Sequence, residues 1–198
     1  MIALAKPMLG IEEKTLVNEV LSSGRLAQGE YVEMFERDFA LFQGSKHCIA
    51  TSSGTSALHV ALLSLGIKPG DKVITTPFSF IGTSNAILYA QAVPVFCDIN
   101  LKDYNISPQE LLDTIKKHPD AKAIIIVHLY GYPARMAELM VIANQYNLAV
   151  IPDQPLYQQG ETLGSFTNAR IASERVVSIP VHPGLTEQEV DYIVSTIQ

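Results

Sequence analysis

From residue 47 to residue 151 the chain alternates short apolar segments with amphipathic ones, and this alternation constrains its fold more than any other feature. The short apolar segments predict strands at residues 47–51, 72–75, 93–96, 123–127 and 148–151. Residues 123–127 are apolar throughout, which is typical of a strand covered on both faces of a sheet. Strands that alternate with helices predict an α/β fold, in which a mostly parallel sheet carries helices on both faces.

The amphipathic segments predict the helices of this fold, at residues 12–21, 31–42, 55–65, 81–90, 107–117 and 137–146. The regular alternation stops just after Asp153. Beyond it, residues 175–179 predict a strand, and Thr186 with Glu189 forms a capping box that predicts a last helix. The chain is therefore predicted to contain a main unit at residues 1–154 and a fragment of a smaller unit at residues 155–198.

Composition limits the kinds of partner. Hydrophobic residues make up 47% of the chain, enough to bury a sizeable core, and the net charge of −6 argues against nucleic acid or an anionic membrane as partner. Residues 1–5 are too short for a signal peptide, and no apolar stretch has the length of a membrane helix. Cys48 and Cys97, both in apolar strand contexts, are interpreted as small buried side chains of a reducing compartment, which predicts a cytoplasmic protein.

Residues that could bind a ligand or take part in catalysis follow the predicted strands, where open α/β sheets bind ligands. Gly54 and Thr55 lie between a strand and a helix, where free N–H groups and the helix dipole favour a phosphate. Taken alone, this loop is more typical of an ordinary helix N-cap. Phe80 could stack on a flat ring, although a lone aromatic residue is more often part of a core.

Two further candidates end the last predicted strands. Asp153 could pair with a protonated ring nitrogen, or could equally be a turn or N-cap residue. His128 could act as a base, although such a histidine more often has a structural hydrogen bond. The five histidines share no metal-ligand spacing, so no metal site is predicted. An anion cradle, a stacking ring and an acid together suit a phosphorylated pyridinium, and pyridoxal 5′-phosphate (PLP) is the obvious candidate.

At this point the sequence resembles the DegT/StrS-type nucleotide-sugar aminotransferases, PLP enzymes of the aspartate aminotransferase fold. The resemblance covers nearly the whole chain, with matching stretches at 6–10, 23–29, 66–74 and 178–186 and at Ser53-Gly-Thr-Ser-Ala-Leu-His59, Pro77-Phe-Ser-Phe-Ile-Gly-Thr83, Val127-His-Leu-Tyr-Gly131 and Val150-Ile-Pro-Asp153. It implies that Gly54 and Thr55 hold the phosphate, Phe80 stacks on the ring, Asp153 pairs with the pyridine nitrogen, and His128 lies near the substrate. It also implies transfer of an amino group from glutamate to a keto-sugar nucleotide, in amino-sugar or surface polysaccharide biosynthesis, by a homodimer.

The sequence departs from this family after Asp153. The family's Schiff-base lysine lies in a segment absent here, and none of the nine lysines has a context that would replace it, so no catalytic residue is assigned. Members of the family usually have a glutamine three residues after the acid, whereas here Gln154 comes one residue after Asp153. Arg135 stands where the family usually has an aspartate. The resemblance thus implies a PLP-type large domain that is incomplete at 1–154, followed by a remnant of the small C-terminal α+β domain at 155–198, with a large internal deletion between.

The deletion has predicted consequences for structure and function. The strand at residues 47–51 would lose its partner, and the strand at residues 148–151 would become an exposed edge, which favours self-association. The first functional hypothesis is a shortened aminotransferase that is inactive alone. The alternative is a non-catalytic module that binds PLP or a sugar nucleotide, or that dimerises.

Overall fold

The computed structural model describes residues 6–153, 168 and 184–197. The chain divides into two compact units, which are treated separately: residues 1–50 with 176–198, and residues 51–175. The predicted boundary between residues 154 and 155 lies outside the described residues and stays a prediction.

In the described part of the chain, the larger unit is built on a parallel sheet of four strands. These are β1 (Lys72–Thr75), β2 (Val93–Phe96), β3 (Ala121–Val127) and β4 (Ala149–Asp153). Their order is β2-β1-β3-β4, and every neighbouring pair is parallel. The predicted α/β class is confirmed, and the four strands predicted between residues 72 and 151 are found within two residues of their predicted ends.

Among the described residues, five helical segments connect or precede these strands. They are α3 (Gly54–Ser64), α4 (Ile81–Tyr89), α5 (Pro108–Lys117), a single 3₁₀ turn (Leu129–Gly131) and α6 (Met136–Gln145). On one sheet face Ile74, Ile124 and Ile126 pack against α5 and α6, with Leu111 and Leu139 fully buried. On the other, Val73, Ala123 and Ile125 pack with Leu58, Leu62 and Ile87, from α3 and α4. Alternate residues of one strand thus enter opposite cores, which explains why β3 is apolar from Ala123 to Val127.

The smaller unit contributes three described helices: α1 (Ile11–Ser23), α2 (Glu30–Gln43) and α7 (Glu187–Ile197). The capping box predicted for α7 is present, because Thr186 Oγ1 accepts from the Glu189 N–H at 3.3 Å while a Glu189 carboxylate oxygen accepts from the Thr186 N–H at 2.9 Å. The strand predicted at residues 175–179 lies outside the described residues.

The strand predicted at residues 47–51 is wrong. Those residues are irregular, and Cys48, half-buried, is therefore not in a strand. A strand exists only through hydrogen bonds to a neighbour, and within the described part of the chain nothing pairs with this segment. The N–H of Ala50 donates instead to Glu36 Oε1 in α2, at 2.8 Å. Among the described residues β4 is an edge strand of the sheet, as predicted.

Candidate functional site

The carboxyl ends of the four strands bring several polar and aromatic side chains to one edge of the sheet. Thr75 pairs with Phe96, and Val127 pairs with Asp153, so the strands end close to one level. The loops that follow them therefore emerge side by side, as the ligand-binding edge of a parallel sheet requires. Phe80, His128 and Asp153 all belong to this edge.

Gly54 and Thr55 form the first turn of α3, the helix that precedes β1. Ser53 is the N-cap, and its Oγ accepts the N–H of Ser56 at 3.1 Å. Within the described part of the chain, the N–H groups of Gly54 and Thr55 make no hydrogen bond, and a Cβ added to Gly54 would meet no atom within 4 Å. These N–H groups can receive an anion, because the positive end of the helix dipole adds to two open donors and no carboxylate occurs in residues 51–56.

Gly82, in the first turn of α4, joins this helix terminus to Phe80. A Cβ added to Gly82 would lie 2.5 Å from Thr55 Oγ1 and 2.6 Å from Phe80 Cδ1. The Thr55 hydroxyl and the Phe80 ring therefore lie at most about 5 Å apart, over a position where only glycine leaves them undisturbed. The ring is 37% exposed, so it is not the core aromatic that its apolar neighbours in sequence would suggest.

Asp153 ends β4 beside the last residue of β3. Its backbone is paired with Val127, and His128 directly follows β3. The structure thus places the predicted acid at the end of β4 and the predicted histidine just after the neighbouring strand.

His128 makes a hydrogen bond within its own loop. Its Nδ1 accepts the backbone N–H of Ala134 at 3.1 Å, so in the neutral ring the proton is carried by Nε2. The imidazole spans the loop from β3 to α6 and positions it. This is the structural role that the sequence left as the alternative to a base.

Asn105 was missed by sequence reasoning. Its carboxamide is 2% exposed; Oδ1 accepts the N–H of Leu129 at 2.9 Å and Nδ2 donates to the carbonyl of Tyr132 at 3.0 Å. One buried side chain after β2 therefore holds both ends of the 3₁₀ turn after β3. An asparagine in a polar turn gives no sequence signal of a partner 24 residues away.

Asp98, which follows β2, anchors a residue from beyond β4. Its Oδ2 accepts the N–H of Asn168 at 3.1 Å, and Asn168 Nδ2 donates to the carbonyl of Ile99 at 2.9 Å. Asp98 is 8% exposed, and its other oxygen accepts the N–H of Ile99 at 2.8 Å. These bonds attach Asn168 to the same edge of the sheet, a contact that the sequence did not reveal.

Other chemistry at this edge is limited. Burial raises the pKa of the Cys97 thiol to about 12, so this sulfur is not a thiolate nucleophile at neutral pH. Among the described residues no three His, Cys, Asp or Glu side chains are grouped so as to hold a metal ion. No helix in the described part of the chain combines the length and apolar character needed to cross a bilayer.

Comparison with known proteins identifies the family. The DegT/DnrJ/EryC1/StrS aminotransferase family matches residues 7–155 and again residues 152–198. The chain belongs to this family. Its two matches cover nearly the whole sequence and overlap at residues 152–155.

Individual family members show how much of a complete protein is present. The chain is 42% identical over 147 residues to the spore coat polysaccharide biosynthesis protein SpsC of Bacillus subtilis, covering 74% of this chain and 37% of that protein. It is 37% identical over 153 residues to GDP-perosamine synthase of Caulobacter vibrioides, covering 77% and 41%. It also matches the structure of NtdA from Bacillus subtilis with bound cofactor PMP, with a TM-score of 0.67, 37% identity and coverage of 76% and 36%. The chain therefore spans about two fifths of the length of these relatives.

Proposed function

We propose that this chain binds PLP at the carboxyl edge of its sheet, and that it is a shortened aminotransferase of keto-sugar nucleotides, inactive alone. The observation that carries the proposal is the convergence of the Thr55 hydroxyl and the Phe80 ring on Gly82, beside the open first turn of α3. A phosphate receptor and a stacking surface less than a cofactor's length apart fit a phosphorylated flat ring.

Each site residue has a defined task in this proposal. The N–H groups of Gly54 and Thr55 would bind the phosphate, and Phe80 would cover one face of the ring. Asp153 would hold a proton on the pyridine nitrogen, where its carboxylate stabilises the positive charge. PLP supplies an electron sink for reactions at an amino-bearing carbon, and a protonated ring nitrogen strengthens that sink.

The chain is proposed to be inactive because the lysines that it retains do not suit a covalent bond to PLP. A lysine that bonds covalently to PLP needs a desolvated site, which lowers its pKa. Lys72 and Lys116 are paired with Asp120 and Asp113, and Lys102, in the loop after β2, is exposed. The family match in two stretches, which overlap only at residues 152–155, supports a deletion of the segment that carries the lysine in relatives.

The relatives suggest the substrates and the setting. GDP-perosamine synthase and a spore coat polysaccharide biosynthesis protein are among the matched proteins. We infer a sugar nucleotide and glutamate as ligands of the intact ancestor, in cytoplasmic synthesis of amino sugars or surface polysaccharides, without nucleic acid or membrane partners. The division into a large-domain part at 1–154 and a small-domain remnant at 155–198 belongs to the same proposal.

The decisive experiment separates binding from covalent attachment. The protein is titrated with PLP, followed by cofactor absorbance, and a parallel sample is reduced with borohydride for intact-mass measurement. We expect saturable binding that is weakened by Thr55→Val and Phe80→Ala, with no stoichiometric mass adduct. Phe42→Ala is the matched control, because Phe42 is 82% exposed in the other unit. A one-to-one adduct on a single lysine would overturn the inactive assignment, and absence of saturable binding would overturn the site.

A non-catalytic dimerisation module is the second candidate, favoured by the free edge of β4. In the described part of the chain β4 pairs only with β3, and its Ile151 is 7% exposed. Unpaired backbone groups beside apolar side chains favour pairing with a second chain. Light scattering over a concentration series should show self-association; a cooperative monomer at all concentrations would remove this candidate.

A further inference from the structure

Four residues other than glycine have a positive φ in the described part of the chain, and two of them stand out. Gln91 and Asn147 follow the last turns of α4 and α6, where a left-handed residue commonly ends a helix. Tyr104 and Tyr130, with φ of 57° and 55°, follow no such helix end. A bulky side chain in this region is an outlier, and such outliers concentrate at binding sites.

Tyr130 is held in its strained conformation by hydrogen bonds on both sides. The N–H of Gly131 donates to the carbonyl of His128 at 3.0 Å, and the N–H of Tyr132 donates to the carbonyl of Leu129 at 3.0 Å. The buried Asn105 then fixes Leu129 and Tyr132. The loop is thus rigid, yet Tyr130 is 58% exposed, so this conformation presents its ring to solvent instead of burying it.

Tyr104 precedes Asn105, whose side chain ties its loop to the residues on either side of Tyr130. The N–H of Tyr104 donates to the carbonyl of Asn100 at 2.7 Å, and its ring packs on that of Phe78 with centroids 6.0 Å apart. Partial burial, and then the neighbouring Tyr104, raise the pKa of Tyr130. A supported tyrosine and an exposed one therefore lie on two loops, after β2 and β3, that the Asn105 side chain joins.

We propose that Tyr104 and Tyr130 form a platform on which the base of a nucleoside diphosphate stacks. The proposal deepens the proposed function by placing the nucleotide of the sugar nucleotide, and it rests on that function for the ligand class. Rigid aromatic side chains bind the flat face of any base at low entropic cost, and stacking of this kind tolerates different bases. Phe80 is assigned to the cofactor ring, so a second flat ring needs a second aromatic surface.

The test uses the full chain with GDP and UDP as probes. Saturation-transfer NMR should show base protons receiving more saturation than ribose protons. Tyr130→Ala should raise the dissociation constant about tenfold, whereas Tyr130→Phe should keep it within about twofold. Tyr89→Ala is the matched control, because Tyr89 is 59% exposed on α4 and should leave binding unchanged.

Tyr130→Gly distinguishes a binding role from a structural one. Glycine relieves the left-handed strain, so the melting temperature should rise by roughly 2–5 °C while nucleotide binding is lost. The proposal is wrong if Tyr130→Gly binds GDP and UDP like the parent. It is also wrong if the base protons of neither nucleotide receive saturation from the protein. PLP titration of the same samples tests the proposed function separately, because PLP binding without nucleotide binding removes only the platform.

Discussion

Replacing Asn105 by alanine should loosen the loop after β3 and destabilise the protein by about 2–3 kcal/mol. The side chain is 2% exposed and makes two bonds, to the N–H of Leu129 and the carbonyl of Tyr132. Leu129 is 3% exposed, so in the variant its N–H loses its partner where water cannot easily replace it, at a cost of about 1–3 kcal/mol. Tyr132 is 63% exposed, so its carbonyl can be hydrated and adds less than about 1 kcal/mol.

Urea unfolding of the parent and variant measures the total, and amide hydrogen exchange locates it. The Leu129 amide should lose its protection to a greater extent than the amides of β3, because only the loop loses a direct contact. Asn144→Ala, on the exposed face of α6, is the control and should change stability by less than about 0.5 kcal/mol. A destabilisation by Asn105→Ala below about 0.5 kcal/mol, or unchanged protection at Leu129, would refute the assignment of Asn105 as the residue that holds this loop.

Three further predictions concern other parts of the larger unit. Ser53→Ala should cost about 1 kcal/mol in thermal unfolding, because the N–H of Ser56 loses its cap; an unchanged melting temperature would mean that Ser53 does not cap α3. A thiol reagent at pH 8 should modify at most one cysteine of the native protein and both in denaturant, since burial raises the pKa of Cys97 to about 12; rapid labelling of both in the native state would contradict this. The hydrogen bond from Lys72 lowers the pKa of Asp120, so its stabilisation is present above the unfolded pKa and is lost as pH falls through the folded pKa. Asp120→Asn should therefore be less stable than the parent at pH 6, and the difference should disappear once the pH falls below the folded pKa of Asp120. A difference that persists in strong acid would exclude this origin.

The sheet and its helices were predictable because their signal is local. Burial of β3 on both faces requires an unbroken apolar strand, and residues 123–127 show one. The strand at residues 47–51 failed for the opposite reason: its apolar pattern was adequate, but a strand also needs a neighbour in space. No local pattern reports whether that neighbour exists, and among the described residues it does not.

The candidate site was predictable in its residue types but not in its supports. Motif resemblance led to Thr55 and Phe80, whereas the reason that they meet, the missing side chain of Gly82, follows only from coordinates. Asn105 and Asp98 hold partners 24 and 70 residues away, so their roles depend on tertiary contacts that spacing does not encode. The left-handed conformations of Tyr104 and Tyr130 are equally invisible, because tyrosine is not a residue from which a positive φ is expected.

The arrangement of the sheet explains why binding and turnover should separate in this chain. β4 keeps its pairing with β3 for five residues, as far as Asp153, so the backbone of the last proposed cofactor contact is held as firmly as the rest of the strand. The phosphate receptor lies in α3, which precedes all four strands in the chain. The stacking ring lies in the loop after β1, and β1 is on the side of β3 opposite β4. Gly54, Thr55 and Phe80 lie before residue 152, where the second family match begins, and Asp153 lies within the overlap of the two matches. If the proposed function is correct, ligand affinity depends on loops that the remaining sheet supports, whereas turnover needs a lysine that a second protein chain would have to supply.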